Sequence, residues 1–197
     1  MPESEKTNLM LDHFGFLAPF YERFIKPQIP DQLIQLLDLR GDDMLLDVGG
    51  GTGRISQFFT QLSKLVVLAD LSQKMLVESQ SKKDLHAACS HSEYLPFPDQ
   101  YYDRVIMIDA LHHVCDQGQT AHELWRVLKP GGRIIIEEPD IHHPVVKLVA
   151  LGEKLALMRS HFLNGGQISD LFESYAAKRE LHQDGHIIRV VIEKPKK

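Results

Sequence analysis

Positive charge, cysteine and long apolar runs are what this chain has least of, and each shortage closes off a class of function. Lysine and arginine together number 22 against 27 aspartates and glutamates, for a formal net charge of −5 and a pI near 6.1. Such a balance offers no basic field to neutralise phosphates, so small molecules are the expected partners and nucleic acid is not. The only two cysteines, Cys89 and Cys115, cannot build a disulfide framework and point to a reducing cytoplasm. No run approaches the roughly 20 apolar residues of a membrane span, and no signal-like apolar segment follows Met1. The remaining composition is ordinary for a folded protein, with 43% hydrophobic and 25% charged residues over 197 positions, a length suited to one domain with its own core. Oligomeric state leaves no mark in the sequence.

Hydrophobic spacing divides the chain. From Thr7 to Phe24, Leu9, Met10, Phe14, Leu17, Phe20, Tyr21 and Phe24 recur at three- or four-residue intervals, an amphipathic helix broken at Pro19. A second helix is predicted over Asp31 to Leu39, stopping at Gly41. Strands and helices then alternate. Met44 to Leu46 is a strand running into glycines, Ile55 to Leu62 a helix, Leu65 to Ala69 a strand ending on Asp70, and Ser72 to Ser81 a capped helix. His86 to Ser90 and Asp103 to Asp109 are further strands. Thr120 and Glu123 form a capping box for a helix ending at Lys129-Pro130-Gly131-Gly132, and Arg133 to Glu137 is the next strand. Helical stretches over Val145 to Phe162 and Gln167 to Ala177 precede a hairpin, Glu180 to His182 and His186 to Ile192, around Asp184-Gly185. This alternation predicts a doubly wound α/β fold: seven strands, mostly parallel, with an antiparallel C-terminal hairpin strand and helices on both faces. One domain is expected, with an N-terminal helical lid over 1–40, a cofactor-binding core over 44–139, a helical substrate-side insertion over 140–178 and the hairpin over 179–197.

The chemistry concentrates in Asp47-Val48-Gly49-Gly50-Gly51-Thr52-Gly53, an acid followed by glycines where a buried strand turns toward a helix. Glycines let backbone approach a ligand closely, at a cost of about 0.5–1 kcal/mol each relative to alanine, so a ligand-free turn explains them poorly. The nicotinamide fingerprint G-x-G-x-x-G does not fit. Started at Gly49 it meets Arg54 in place of the third glycine, and started at Gly51 it meets Ser56. Asp70 ends the neighbouring strand, where a carboxylate suits the two hydroxyls of a ribose; the plainer alternative is a cap on the following helix.

Four blocks, in order and spacing, make the chain resemble the class I S-adenosylmethionine-dependent methyltransferases, in the group related to ubiquinone/menaquinone biosynthesis methyltransferases. They are Leu46 to Arg54; Ala69-Asp70-Leu71-Ser72 with Met75-Leu76; Ser92 to Asp99 through Tyr102-Asp103; and Glu123 to Gly132. The resemblance spans Leu46 to about Pro139 and implies a Rossmann-like enzyme. Its reaction would move a methyl group from S-adenosylmethionine to oxygen, carbon or nitrogen of a small, partly apolar acceptor by in-line displacement, leaving S-adenosylhomocysteine. The resemblance also implies residue roles. Asp47 and the backbone of Gly49, Gly50 and Gly51, in the turn completed by Gly53, would hold the methionine part of the cofactor, Asp70 the ribose, and Leu71 with Met75 the adenine face. Where the family usually has Asp-Ala before a Glu-x-Leu-Pro block, this chain has His91-Ser92 ahead of Glu93. An imidazole or a backbone group would then meet the adenine amine. Asp109 and Ala110 would line the pocket between cofactor and acceptor.

His112-His113 and His142-His143 stand at the ends of the fourth and fifth strands. Neighbours on extended backbone face opposite ways, so each pair offers one site-facing imidazole at most. His113, His112 and His143 are the candidate general bases; the alternative is histidines that are simply packed or solvated. No His/Cys/Asp group has metal-ligand spacing, and no metal is expected. Glu137, Glu138 and Asp140 read as a solvated strand end. Asp109-Ala110-Leu111-His112 is not the Asn/Asp-Pro-Pro-aromatic sequence with which nucleic-acid amine methyltransferases hold a flipped base. Two other readings stay open: a cofactor-binding partner or regulatory protein without turnover, favoured by His91-Ser92, and a nicotinamide oxidoreductase, which predicts tighter binding of NADH than of S-adenosylhomocysteine.

Overall fold

The computed structural model describes residues 31–143 and 160–196. The helices expected over Thr7 to Phe24, most of the lid they belong to, and residues 145–159 of the predicted insertion helix lie outside that set. Within it, seven strands form one sheet: β1 (Met44–Val48), β2 (Leu65–Asp70), β3 (Leu85–Cys89), β4 (Tyr102–Ile108), β5 (Leu128–Pro139), β6 (Lys178–Asp184) and β7 (Ile187–Glu193), in the order β3-β2-β1-β4-β5-β7-β6. β1 to β5 run parallel. β7 inserts antiparallel between β5 and β6. The chain leaves β1 toward β2 and β3, then returns to β4 on its other side, so the order reverses beside β1, where open sheets of this kind hold ligands.

Period-two alternation sorts the strands into two apolar layers. On one face Leu46, Val105, Met107, Ile134, Ile136 and Val190 meet Leu124 and Val127 of α3 (Gln117–Val127) and Phe172. On the other, Leu45, Ile106, Ile135 and Val191 meet Leu33 and Leu37 of α1 (Asp31–Leu37) with Phe59. Leu33 and Leu37 are fully buried, and truncating either to alanine costs about 2–5 kcal/mol.

Several boundaries differ from expectation, each for a local reason. α1 stops at Leu37 because Asp38 takes the left-handed conformation (φ 45°), a role predicted for Gly41. Arg104 then donates to the freed carbonyls of Leu37 (2.6 Å) and Asp38 (2.7 Å). The helix predicted over Ile55 to Leu62 is only a 3-10 turn, Ser56–Phe59. α2 (Gln73–Ser79) is capped by Ser72 as expected. α3 is capped by Asp116, whose side chain accepts from the Gln119 N–H at 2.8 Å, and not by Thr120, which lies inside the helix and is buried. Glu123 is committed elsewhere, to the Leu95 N–H (2.8 Å) and Arg126. Lys129-Pro130-Gly131-Gly132 belongs to β5, where the pairing register with β4 shifts, rather than to the end of α3. The helix expected over Gln167 to Ala177 is α4 (Gly165–Asp170), started earlier by a capping box between Asn164 and Gln167. Ser160 to Phe162, expected as the end of a helix, are irregular. β6 and β7 form the predicted hairpin, with Gly185 at φ 59°.

Candidate active site

The glycine turn leaves β1 at the reversal point. The Gly49 N–H donates to the Ala69 carbonyl at 2.7 Å, tying the turn to β2. A Cβ on Gly49 would stand 2.6 Å from the Ala110 Cβ, so the turn and the exit of β4 are in contact across the missing side chain. Gly51 is different: at φ 58° its Cβ direction is open, with the Met75 Sδ 3.9 Å away as nearest atom. Asp70 fixes this open peptide. Its Oδ2 accepts from the Gly51 N–H at 2.8 Å and its Oδ1 from the Ser72 N–H at 2.7 Å, while the Ser72 hydroxyl caps α2. Asp70 therefore braces the turn and leaves helix capping to its neighbour.

Asp47 lies beneath the turn and is 2% exposed. Desolvation pushes its carboxyl up to about 7 against the opposing hydrogen bond from Ser56. Oδ2 takes that Ser56 hydroxyl; Oδ1 is buried with no partner. A buried acceptor without a donor is costly, and a ligand ammonium group would satisfy both the lone pairs and the charge. Leu71 follows Asp70 with 57% exposure, a large apolar side chain beside the open turn, and Met75 is buried behind Gly51. A buried acid with one unpartnered oxygen, an open peptide, a carboxylate brace and an exposed leucine fit the amino acid, ribose and flat base of S-adenosylmethionine.

The block after β3 is built for support. His91 is exposed, its Nδ1 4.0 Å from Glu93 Oε2. Ser92 Oγ lies 3.2 Å from both Glu93 Oε2 and Thr120 Oγ1. Buried Glu93 accepts from the N–H groups of Cys115 (3.0 Å) and Asp116 (3.2 Å), holding the entry to α3. His91 alone of the three presents its side chain to solvent.

At the exit of β4, Asp109 sits in the left-handed region (φ 52°), a conformation a non-glycine residue takes at a cost of about 1–3 kcal/mol and mostly at functional sites. Desolvation, with Glu138 and Glu137 nearby, raises its carboxyl to about 6. Arg54 Nη2 lies 4.0 Å from Asp109 Oδ2. Leu111–His113 then form a 3-10 turn, not extended backbone, so the adjacent imidazoles do not diverge: their ring centres are 3.9 Å apart. His112 is 4% exposed; its Nδ1 is 2.5 Å from Glu138 Oε2, and Phe162 stacks on it at 4.3 Å and 14°. Glu138 Oε1 also accepts from the N–H groups of Ala110 (3.1 Å) and Leu111 (2.7 Å). His113 has Ser160 Oγ at 3.4 Å from its Nδ1, and burial beside His112 lowers it to about 3, so it stays neutral. His143 packs at the β6–β7 turn instead, its ring 5.8 Å from that of His186.

Glu137, Glu138 and Asp140 are not a solvated rim: they are 6%, 2% and 7% exposed. β5 lies between β4 and β7, so its end is enclosed. Glu137 Oε2 takes the Nε–H of fully buried Arg189 at 2.5 Å, and Arg189 Nη1 donates to Gln32 at 2.6 Å. Asp140 accepts from the His142 N–H and from Gln183 Nε2 at 2.9 Å each. Phe162 carries no signal of its own in the sequence, and Glu138, expected at a solvated strand end, is buried at the close of the run Ile134-Ile135-Ile136-Glu137-Glu138, whose apolar start was the available signal. Among the described residues no group of three or more His, Cys, Asp or Glu is arranged to hold a metal ion.

Comparison with known proteins bears on the domain and its fold. Residues 46–136 match the family described as a methyltransferase domain. The chain is 34% identical over 121 residues to the ubiquinone/menaquinone biosynthesis C-methyltransferase UbiE of Vibrio cholerae, an alignment covering 55% of this chain and 46% of that protein. To the protein of the same name from Hahella chejuensis it is 29% identical over 168 residues, covering 79% and 67%. It thus spans about half the length of the first of these relatives. The fold superimposes at a TM-score of 0.75 and 17% identity on an S-adenosylmethionine-dependent methyltransferase from Thermotoga maritima, covering 92% of this chain and 97% of the other. The methyltransferase-domain match over 46–136, the UbiE relatives and this strand order together support a class I S-adenosylmethionine-dependent methyltransferase.

Proposed function

We propose that the protein transfers the methyl group of S-adenosylmethionine to a small, partly apolar molecule by in-line displacement. The observation that carries the reading is the buried, unpartnered Oδ1 of Asp47 under the open Gly51 peptide, a site made for a ligand that brings a cation. Bound there, the cofactor supplies an electrophilic methyl on a positively charged sulfur. The chain's own part is placement: Asp47 for the amino acid, Asp70 for the ribose while it holds the turn, Leu71 and Met75 for the base, with His91 beside it. Asp109 and Ala110 separate this half from the acceptor half at His112. Holding an acceptor atom about 3–3.5 Å from the methyl contributes about 7–11 kcal/mol by itself.

A small acceptor rather than nucleic acid follows from the net charge of −5 and the sequence after β4. No described helix is long and apolar enough to cross a membrane, and the single-domain, cytoplasmic reading is kept as part of this proposal. Calorimetry with S-adenosylhomocysteine tests the cofactor half, with Asp70→Ala expected to weaken binding at least tenfold; wild-type protein that ignores the ligand, or prefers NADH, refutes it. Release of S-adenosylhomocysteine from S-adenosylmethionine in the presence of a metabolite extract tests the transfer half. Binding without turnover on any pool instead favours a non-catalytic cofactor-binding partner.

A further inference from the structure

Resting on that reading for its role in acceptor binding, we propose that Arg189 and His182 form a second subsite, outside the cofactor cradle, that grips an uncharged oxygen of the acceptor such as an amide or ketone carbonyl. The strand register sets it up. Ile108 of β4 pairs with Glu137 of β5, Glu137 with Arg189 of β7, and Arg189 with His182 of β6. Paired residues of neighbouring strands point to the same face. These four side chains therefore make one row across the sheet, one step nearer the carboxyl ends of β4 and β5 than the apolar row Ile106, Ile135 and Val191. The inner end of the row adjoins the site already described: Ile108 precedes Asp109, whose N–H donates to the Glu137 carbonyl at 3.0 Å.

Two polar atoms of this row are unmet. Arg189 is fully buried; Nε donates to Glu137 Oε2 at 2.5 Å and Nη1 to Gln32 Oε1 at 2.6 Å, but Nη2 has no hydrogen-bond partner. His182 Nε2 is likewise buried without a hydrogen bond, with Glu180 Oε2 3.5 Å away. Of the five such atoms among the described residues, only these two belong to residues paired directly across strands. A buried donor without an acceptor is costly, and a ligand oxygen recovers that cost. The guanidinium is also within reach. Gln32 is part-exposed, and Asp184, whose side chain is 64% exposed, has Oδ2 3.8 Å from Arg189 Nη1, so one side chain separates the group from solvent.

Charge decides the class of ligand. Glu137 already matches the positive charge of Arg189: burial pushes its carboxyl up and the guanidinium draws it down. Asp184 adds a second negative charge. Arg54, the next cation, has Asp109 Oδ2 at 4.0 Å. A carboxylate or phosphate would make a third anion around one guanidinium and meet repulsion, and an ammonium would meet the guanidinium itself. An uncharged oxygen takes a hydrogen bond from a charged donor, the stronger kind, and adds no charge. His182 holds the ligand from the outer side of the row. No bond is made or broken here. Arg189 determines specificity, and the atom that receives the methyl lies elsewhere on the acceptor, toward Asp109.

Benzamide, benzoate and toluene test the proposal on the full chain saturated with S-adenosylhomocysteine, which keeps the cofactor cradle filled. The three share a ring and offer an uncharged oxygen, an anion or neither. Arginine side-chain nitrogen spectra, with Arg189→Lys to assign the signal, are expected to show the Arg189 guanidinium shifting as benzamide is added. Benzamide should bind about tenfold tighter than toluene or benzoate. The double variant Arg189→Met with Glu137→Leu, which removes both charges together, is expected to keep its affinity for S-adenosylhomocysteine and to bind benzamide no better than toluene. Benzoate binding tighter than benzamide overturns the uncharged class. An Arg189 signal that benzamide leaves in place, or a double variant that retains the preference for benzamide, overturns the subsite; if the double variant does not fold, the wild-type signal decides alone. Failure to bind S-adenosylhomocysteine while the Arg189 signal still responds to benzamide is the separate failure of the methyltransferase reading.

Discussion

Replacing Asp47 by asparagine should stabilise the ligand-free protein at pH 8, destabilise it at pH 4 and cripple cofactor binding throughout. Burial raises the carboxyl from 3.8 to about 7. A carboxyl whose folded value lies above its unfolded value favours folding only while protonated, so stability falls as pH climbs from about 4 to about 7 and is level beyond. At about 1.4 kcal/mol per pH unit the full cost at pH 8 is about 4 kcal/mol. The amide of the variant escapes that cost and still accepts from Ser56, but its hydrogens take the place of the unpartnered Oδ1, at about 1–3 kcal/mol. The net gain at pH 8 is therefore about 1–3 kcal/mol, or roughly 2–10 °C in Tm for a domain of this size. At pH 4, where the wild-type carboxyl is protonated, only the amide cost remains and the order reverses. Binding follows the same group: an ammonium ligand needs the carboxylate, so wild-type affinity for S-adenosylmethionine should fall about tenfold per unit below pH 7, and the variant should lose that slope. Thermal melts and calorimetry at pH 4, 6 and 8 measure both. A variant no more stable than wild type at pH 8, or wild-type affinity that is flat from pH 6 to 8, refutes the reasoning.

Other substitutions separate packing from function. Gly50→Ala would drive a Cβ into Leu68 Cδ1 and to 2.5 Å from Asp47 Oδ2, so a loss of about 1–3 kcal/mol or more is expected in urea melts. Gly51→Ala meets open space but a φ of 58°, costing about 1–2 kcal/mol, and its larger effect should appear in S-adenosylhomocysteine calorimetry. Arg126→Ala removes donors to Glu123, Asp99 and the Leu95 and Phe97 carbonyls and strands a buried carboxylate; about 3 kcal/mol of stability should go, with Arg126→Lys recovering less than half. Arg189→Ala leaves Glu137 buried without its cation and should cost about 3–5 kcal/mol, whereas Arg189→Met with Glu137→Leu should cost much less, as read by urea titration.

Strands and the cofactor turn were legible because each rests on local signals: continuous apolar runs for β1, β2 and β4, a turn dipeptide for the hairpin, a serine for α2. Errors fell where two residues compete for one job. Asp116 and Thr120 both suit a helix cap, and only the need of the Leu95 N–H and Arg126 for Glu123 decides between them. Gly41 and Asp38 both suit a left-handed stop, and the guanidinium of Arg104, distant in sequence, selects Asp38. The sequence places the histidine pair at 112–113 at a strand end, but not its geometry, because the short turn that brings the rings to 3.9 Å is held by Glu138 from another strand. Acidic residues at a strand end read as solvated unless the strand's neighbours are known, and β7, which encloses β5, comes from the far end of the chain.

The contact between Gly49 and Ala110 limits how this protein can diversify. Position 49 has no room for any side chain, because its Cβ would stand 2.6 Å from that of Ala110. The turn and the exit of β4 therefore cannot vary independently: a residue other than glycine at 49 would have to move Ala110 and, with it, the Leu111–His113 turn. Change at the one position is tied to the geometry of the other across a gap the size of a methyl group.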